Sequence, residues 1–81
     1  MAFDELIPAR RKAILDTVIA YIRDRQSPSS YYRLQELARE LPISRMAAAG
    51  AMTHLEEHGP YTVRRDDVGG EIAWFVSGMI G

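Results

Sequence analysis

Cysteine is missing from all 81 residues of the chain, which excludes disulfides, thiolate nucleophiles and cysteine-ligated metals. Long apolar runs are missing as well. The longest, Ile72-Ala73-Trp74-Phe75-Val76, is far short of the roughly 20 residues a membrane-spanning helix needs. The first residues, Met1-Ala2-Phe3-Asp4-Glu5, carry acids where a secretory leader needs bases, so the cytoplasm is the expected compartment. Charge of one sign is not in excess: ten basic and eleven acidic groups give a net charge of −1. No global field draws the protein onto a polyanion, and any nucleic-acid contact must come from a local patch. No phosphate-cradling glycine loop, Ser/His/Asp set or paired-carboxylate cleft is recognisable, so a binding protein without cofactor is expected rather than an enzyme.

What is present is an ordinary globular composition, 47% hydrophobic and 26% charged, in one domain. A chain this short buries only roughly 60–65% of its unfolded surface, so every element must share a thin core. Nine of the ten basic residues are arginine, a side chain suited to bidentate phosphate or carboxylate contacts. Residues 1–33 hold six basic and four acidic groups, whereas residues 34–59 hold two and four. The positive excess therefore lies at the N-terminal end.

The periodicity predicts a helix from Pro8 to Arg25, with Ile14, Leu15, Val18 and Ile22 on one face and Ile19 and Tyr21 at its margins. Gln26 to Ser30 breaks the pattern and reads as a linker. Tyr31-Tyr32-Arg33 suits a short edge strand, and Gln35 to Leu41 a short helix. Ser44 is a good N-cap for a third helix running through "RMAAAGAMTHLEEH", with Gly59 expected as a left-handed cap before Pro60. Tyr61 to Arg65 and Glu71 to Val76 read as a hairpin around "DDVGG", and residues 77–81 as a frayed tail.

Helix, short strand, helix, capped helix and hairpin, carried by "LQELARELPISRMAAAGAMTHLEEHG", "YTVRR" and "EIAWFV", resemble the winged helix-turn-helix family over about residues 10–76. The resemblance implies an α+β fold of three helices, a short strand and a C-terminal wing. Leu37, Leu41, Ile43, Ala48, Met52 and Leu55 would meet under the third helix, with Tyr61 and Trp74 closing the far side. It also implies a DNA-binding transcriptional regulator whose third helix enters the major groove while the wing meets the backbone. By position, Met46, Ala47, Ala49, Gly50, Thr53 and His54 would face outward, yet almost none of them reads base edges. The expected DNA contacts are therefore Arg33, Arg45, Ala49, Gly50, Thr53, His54, Arg64 and Arg65, with phosphate anchoring by the arginines. A protein partner on the flat Ala/Gly face is the alternative.

Three further features have competing readings. Arg64 and Arg65 suit phosphate, or local pairing with Asp66, Asp67 or Glu71. Arg10-Arg11-Lys12 would suit an anionic partner, with Asp4, Glu5 and Asp16 near enough to neutralise them. His54-Leu55-Glu56-Glu57-His58 matches the H-x-x-E-H zinc pattern, but no further histidine or cysteine completes a site. The broad apolar stripe of the first helix, Ile14, Ile19, Tyr21 and Ile22, is expected to form a homodimer interface.

Overall fold

The computed structural model describes residues 3–25, 29–59, 61–67 and 69–79. Its elements are a 3₁₀ turn (Phe3–Glu5), α1 (Pro8–Arg25), β1 (Ser29–Arg33), α2 (Leu34–Glu40), α3 (Arg45–His58), β2 (Tyr61–Arg65) and β3 (Ala73–Met79). The class is α+β, three α-helices with a three-stranded antiparallel sheet in the order β1-β3-β2. Residues 26–28 of the expected linker, Pro60, Val68 and the tail residues Ile80 and Gly81 lie outside the described residues.

Helix boundaries follow from where orphan backbone groups find partners. α3 starts where Ser44 Oγ accepts the N–H of Ala47 at 3.1 Å. α2 begins one residue earlier than expected because the Leu34 N–H is taken by the Ile72 carbonyl, 2.9 Å away, which ties the buried Leu34 to the sheet. Gly59 departs from expectation. Its φ of −79° is extended rather than left-handed, and its N–H closes α3 on the Leu55 carbonyl at 2.8 Å.

The tail is the larger correction. Ser77 to Met79 continue β3, because a central strand is held from both sides: Ser77 pairs with Ser29 and with Thr62, and Met79 with Tyr61. The register slips between Tyr61 and Thr62, a bulge that Gly78 accommodates at φ +26°. The same extension draws Ser29 and Ser30, expected in the linker, into β1.

Alternation along the strands gives the sheet two unlike faces. Tyr32, Tyr61, Val63, Trp74 and Val76 are buried against the helices, where they join Val18, Ile22, Leu34, Leu37, Ala48, Ala51, Met52 and Leu55 in one cluster. Leu41 and Ile43 pack against it half-buried. Trp74 is only 2% exposed, and its indole N–H has no hydrogen-bond partner among the described residues. The other face carries Tyr31, Thr62, Arg64 and Phe75.

α1 spends its apolar stripe on this core. Ile22 is 5% exposed and belongs to the interior, so it is withdrawn from the expected dimer interface. Ile14, Ile19 and Tyr21 are half-buried and pack on the core. The Tyr21 hydroxyl donates to Glu36 Oε2 at 2.8 Å and accepts from Arg25, whose guanidinium also pairs with Glu36 at 3.0 Å. That triad fastens the end of α1 to α2 and occupies the polar end of Tyr21. Burial, then the bond to Glu36, pushes the Tyr21 hydroxyl above the ordinary tyrosine range.

Candidate nucleic-acid interface

The third helix presents much less surface than its sequence suggests. Ala47, Ala48, Ala51, Met52 and Leu55 are buried, and at 3.6 residues per turn the opposite arc carries Met46, Ala49, Thr53 and Glu57. Ala47, expected outward, is only 4% exposed and lies inside. Met46 is 57% exposed, Ala49 half-buried. The Thr53 hydroxyl donates to the Ala49 carbonyl of its own helix at 3.0 Å, so its donor is spent locally. Along this stripe no side chain offers a free hydrogen-bond donor, and Glu57 carries a negative charge.

Gly50 and His54 are not part of that stripe. The 3₁₀ turn lies against this flank of α3, with Phe3 buried at 4% exposure. A Cβ on Gly50 would stand 2.1 Å from Phe3 Cβ, so only glycine permits so close an approach. The Phe3 ring continues onto His54, 6.1 Å between centroids. Gly50 is thus the seat of Phe3 rather than a place where a DNA backbone approaches. The signal for this was a glycine in a helix interior, where it costs stability and calls for a packing reason.

The arginines divide into paired and unpaired. Arg33 meets Glu71 at 3.5 Å and Arg65 meets Asp67 at 3.0 Å. The Arg65 hydrogen bond holds the Asp67 carboxyl below the usual range and raises its own guanidinium in return. The Arg65 N–H also donates to Glu56 Oε1 at 3.0 Å, binding the hairpin to α3 and setting a carboxylate beside it. Arg45 and Arg64 have no carboxylate partner among the described residues. They are not neighbours in function: Arg45 opens α3, whereas Arg64 pairs in register with Phe75 on the sheet face turned away from the helices.

Arg10 lies across a groove from the cap of α3. An open groove of about 410 Å³ between α1 and the start of α3 is lined by Arg10, Ile14, Ile43, Ser44 and Ala47 among others. Arg10 also lacks an ion-pair partner among the described residues, whereas Lys12 is taken by Asp16 at 3.0 Å. No acid stands in the first turn of α3, which Arg45 opens, so the positive end of the helix dipole is not offset there.

No family model, curated protein or solved structure matches the chain. The reading of the site therefore rests on its own chemistry. The eight expected contacts fall into separate places: Arg45, Ala49 and Thr53 on α3, Gly50 and His54 beside Phe3, Arg64 on the outer sheet face, Arg33 and Arg65 in ion pairs. The His54 and His58 rings stand 5.1 Å apart, and His58 lies 3.6 Å from Glu57. Among the described residues no three His, Cys, Asp or Glu side chains are grouped to hold a metal ion. Among the same residues, no helix is long and apolar enough to cross a membrane.

Proposed function

We propose that the chain is a winged helix-turn-helix domain that binds duplex DNA and acts as a small regulator. α3 is the element laid against the groove, and the hairpin β2–β3 is the wing. The element order, with β1 joining the hairpin as the third strand and α2 bracing a capped α3, carries this reading. Anchoring comes from Arg45 in the first turn of α3, where the helix dipole assists it on phosphate, and from Arg10 of α1, which lines the groove shared with Ser44 and Ala47. Met46, Ala49 and Thr53 supply close, smooth contact and methyl groups rather than hydrogen bonds to base edges. The binding is accordingly sequence-tolerant.

Salt-titrated binding to duplex DNA tests this, because the slope of log affinity against log salt counts neutralised phosphates. Arg45→Ala and Arg10→Ala should each flatten the slope by about 0.9. Absence of binding by the folded chain at low salt contradicts the proposal.

A protein partner on the same stripe is the second reading, favoured by the exposed Met46 beside Ala49 and by Glu57 in line with them. Ala49→Arg separates the two. A bulky cation there abolishes a flat protein contact but retains or strengthens affinity for DNA.

A further inference from the structure

The outer face of the sheet carries a second arrangement, independent of α3. One cross-strand row holds Tyr31 on β1, Phe75 on β3 and Arg64 on β2. The rings of Tyr31 and Phe75 are 5.0 Å apart and tilted by 57°, and Tyr31 is 47% exposed. Neighbouring strands lie about 4.8 Å apart, which places Arg64 one strand from Phe75. In the next row stand Ser77 and Thr62.

The charges around these rings are mostly committed. Glu71 pairs with Arg33. Asp66 accepts from the Tyr31 hydroxyl at 3.1 Å, and this hydrogen bond raises the Tyr31 hydroxyl above its ordinary value. Of the three sheet arginines, Arg64 alone has no carboxylate partner among the described residues. The rim of the aromatic pair thus offers Arg64, Thr62 and Ser77 as donors beside the Arg33–Glu71 pair and the Asp66 carboxylate, and the rings with Arg64 suit a ligand that has both flat π-faces and a phosphate.

We propose that this face binds single-stranded nucleic acid, two successive unpaired bases stacking on Tyr31 and Phe75 while a phosphate between them meets Arg64. Stacking on aromatic side chains tolerates any base, because every base has a π-face. The guanidinium matches a phosphate by charge and by its forked donors. A duplex keeps its π-faces inside the base stack and offers nothing to these rings. Asp66 opposes a phosphate here, and its position makes a signed test possible.

The full chain is titrated into a labelled oligothymidine of about 12 nucleotides at low salt, with fluorescence anisotropy as readout and circular dichroism confirming the fold of each variant. Tyr31→Ala and Phe75→Leu should each weaken binding by roughly five- to a hundredfold. The leucine keeps apolar volume while removing the π-face. Arg64→Ala should flatten the salt slope by about 0.7, one single-strand phosphate. Asp66→Asn, which keeps an acceptor for Tyr31 and removes the negative charge, should tighten binding. Ala49→Arg should leave the oligothymidine affinity in place, so failure at α3 and failure here are told apart. No binding by the folded chain, or affinity indifferent to Tyr31→Ala and Phe75→Leu, overturns the proposal. Self-association that Tyr31→Ala abolishes, without oligothymidine binding, overturns it in favour of a second copy of the chain.

Discussion

Replacing Gly50 by alanine should destabilise the protein, although alanine is the better helix former. Gly→Ala in a helix interior ordinarily gains about 0.8–1 kcal/mol. Here the new Cβ would lie 2.1 Å from Phe3 Cβ and 2.7 Å from Phe3 Cγ. The first of these atoms is fixed to the backbone, so no rotamer change relieves the clash and the 3₁₀ turn must lift away. Exposing a buried phenylalanine costs about 1.5–3 kcal/mol, which leaves a net loss of about 0.5–2 kcal/mol. For a domain of this size that corresponds to a fall of roughly 2–15 °C in Tm. Thermal melting followed by circular dichroism and by the single tryptophan gives the number.

The control is Phe3→Gly. In that background the three atoms nearest the added Cβ are gone, and Gly50→Ala should change sign and stabilise by about 0.8–1 kcal/mol. A rise in Tm on Gly50→Ala in the otherwise unaltered chain would falsify the docking of Phe3 on α3.

Three other outcomes follow from particular contacts. Ser44→Ala removes the acceptor for the Ala47 N–H and should cost about 1 kcal/mol, with Ser44→Asp retaining most of it. Tyr21 has a raised pKa, so its contribution is complete below the ordinary tyrosine value and is lost as pH rises through the folded one. Alkaline melts should show a fall in stability that Tyr21→Phe reduces, and tyrosinate absorbance should contain late-titrating groups, Tyr21 and Tyr31, of which Tyr21→Phe removes one. Asp67 is the opposite case, with its pKa lowered by Arg65. The pair contributes above the ordinary aspartate range and fades as pH drops through the folded value, so any effect of Arg65→Ala on Tm should shrink in acid.

Much of the fold was legible because it obeys local rules. α1 and α3 begin and end where periodicity, the Ser44 cap and Gly59 place them. Leu37, Met52, Leu55 and Trp74 are interior as their spacing demands. Apart from the extended cap at Gly59, the departures are tertiary. Ser29, Ser30, Ser77 and Gly78 have poor strand chemistry, and only the two-sided pairing of β3 makes them strand. Gly50 looked like part of a smooth outward surface because nothing local to α3 announces that Phe3, far away in sequence, sits on it. Arg64 and Arg65 are adjacent in sequence, yet the first has no carboxylate partner among the described residues and the second is held by Asp67. Adjacent strand residues project to opposite faces, and the pairing is decided by turn geometry that sequence order does not reveal.

The proposed engagement of duplex DNA by α3 is tested most directly by amide chemical-shift mapping of the ¹⁵N-labelled chain as a short duplex is added at low salt. Shifts should be concentrated at Arg10 and along Arg45, Met46, Ala49 and Thr53, with Tyr31, Arg64 and Phe75 unmoved. Shifts confined to other elements, or none at saturating duplex, would contradict it.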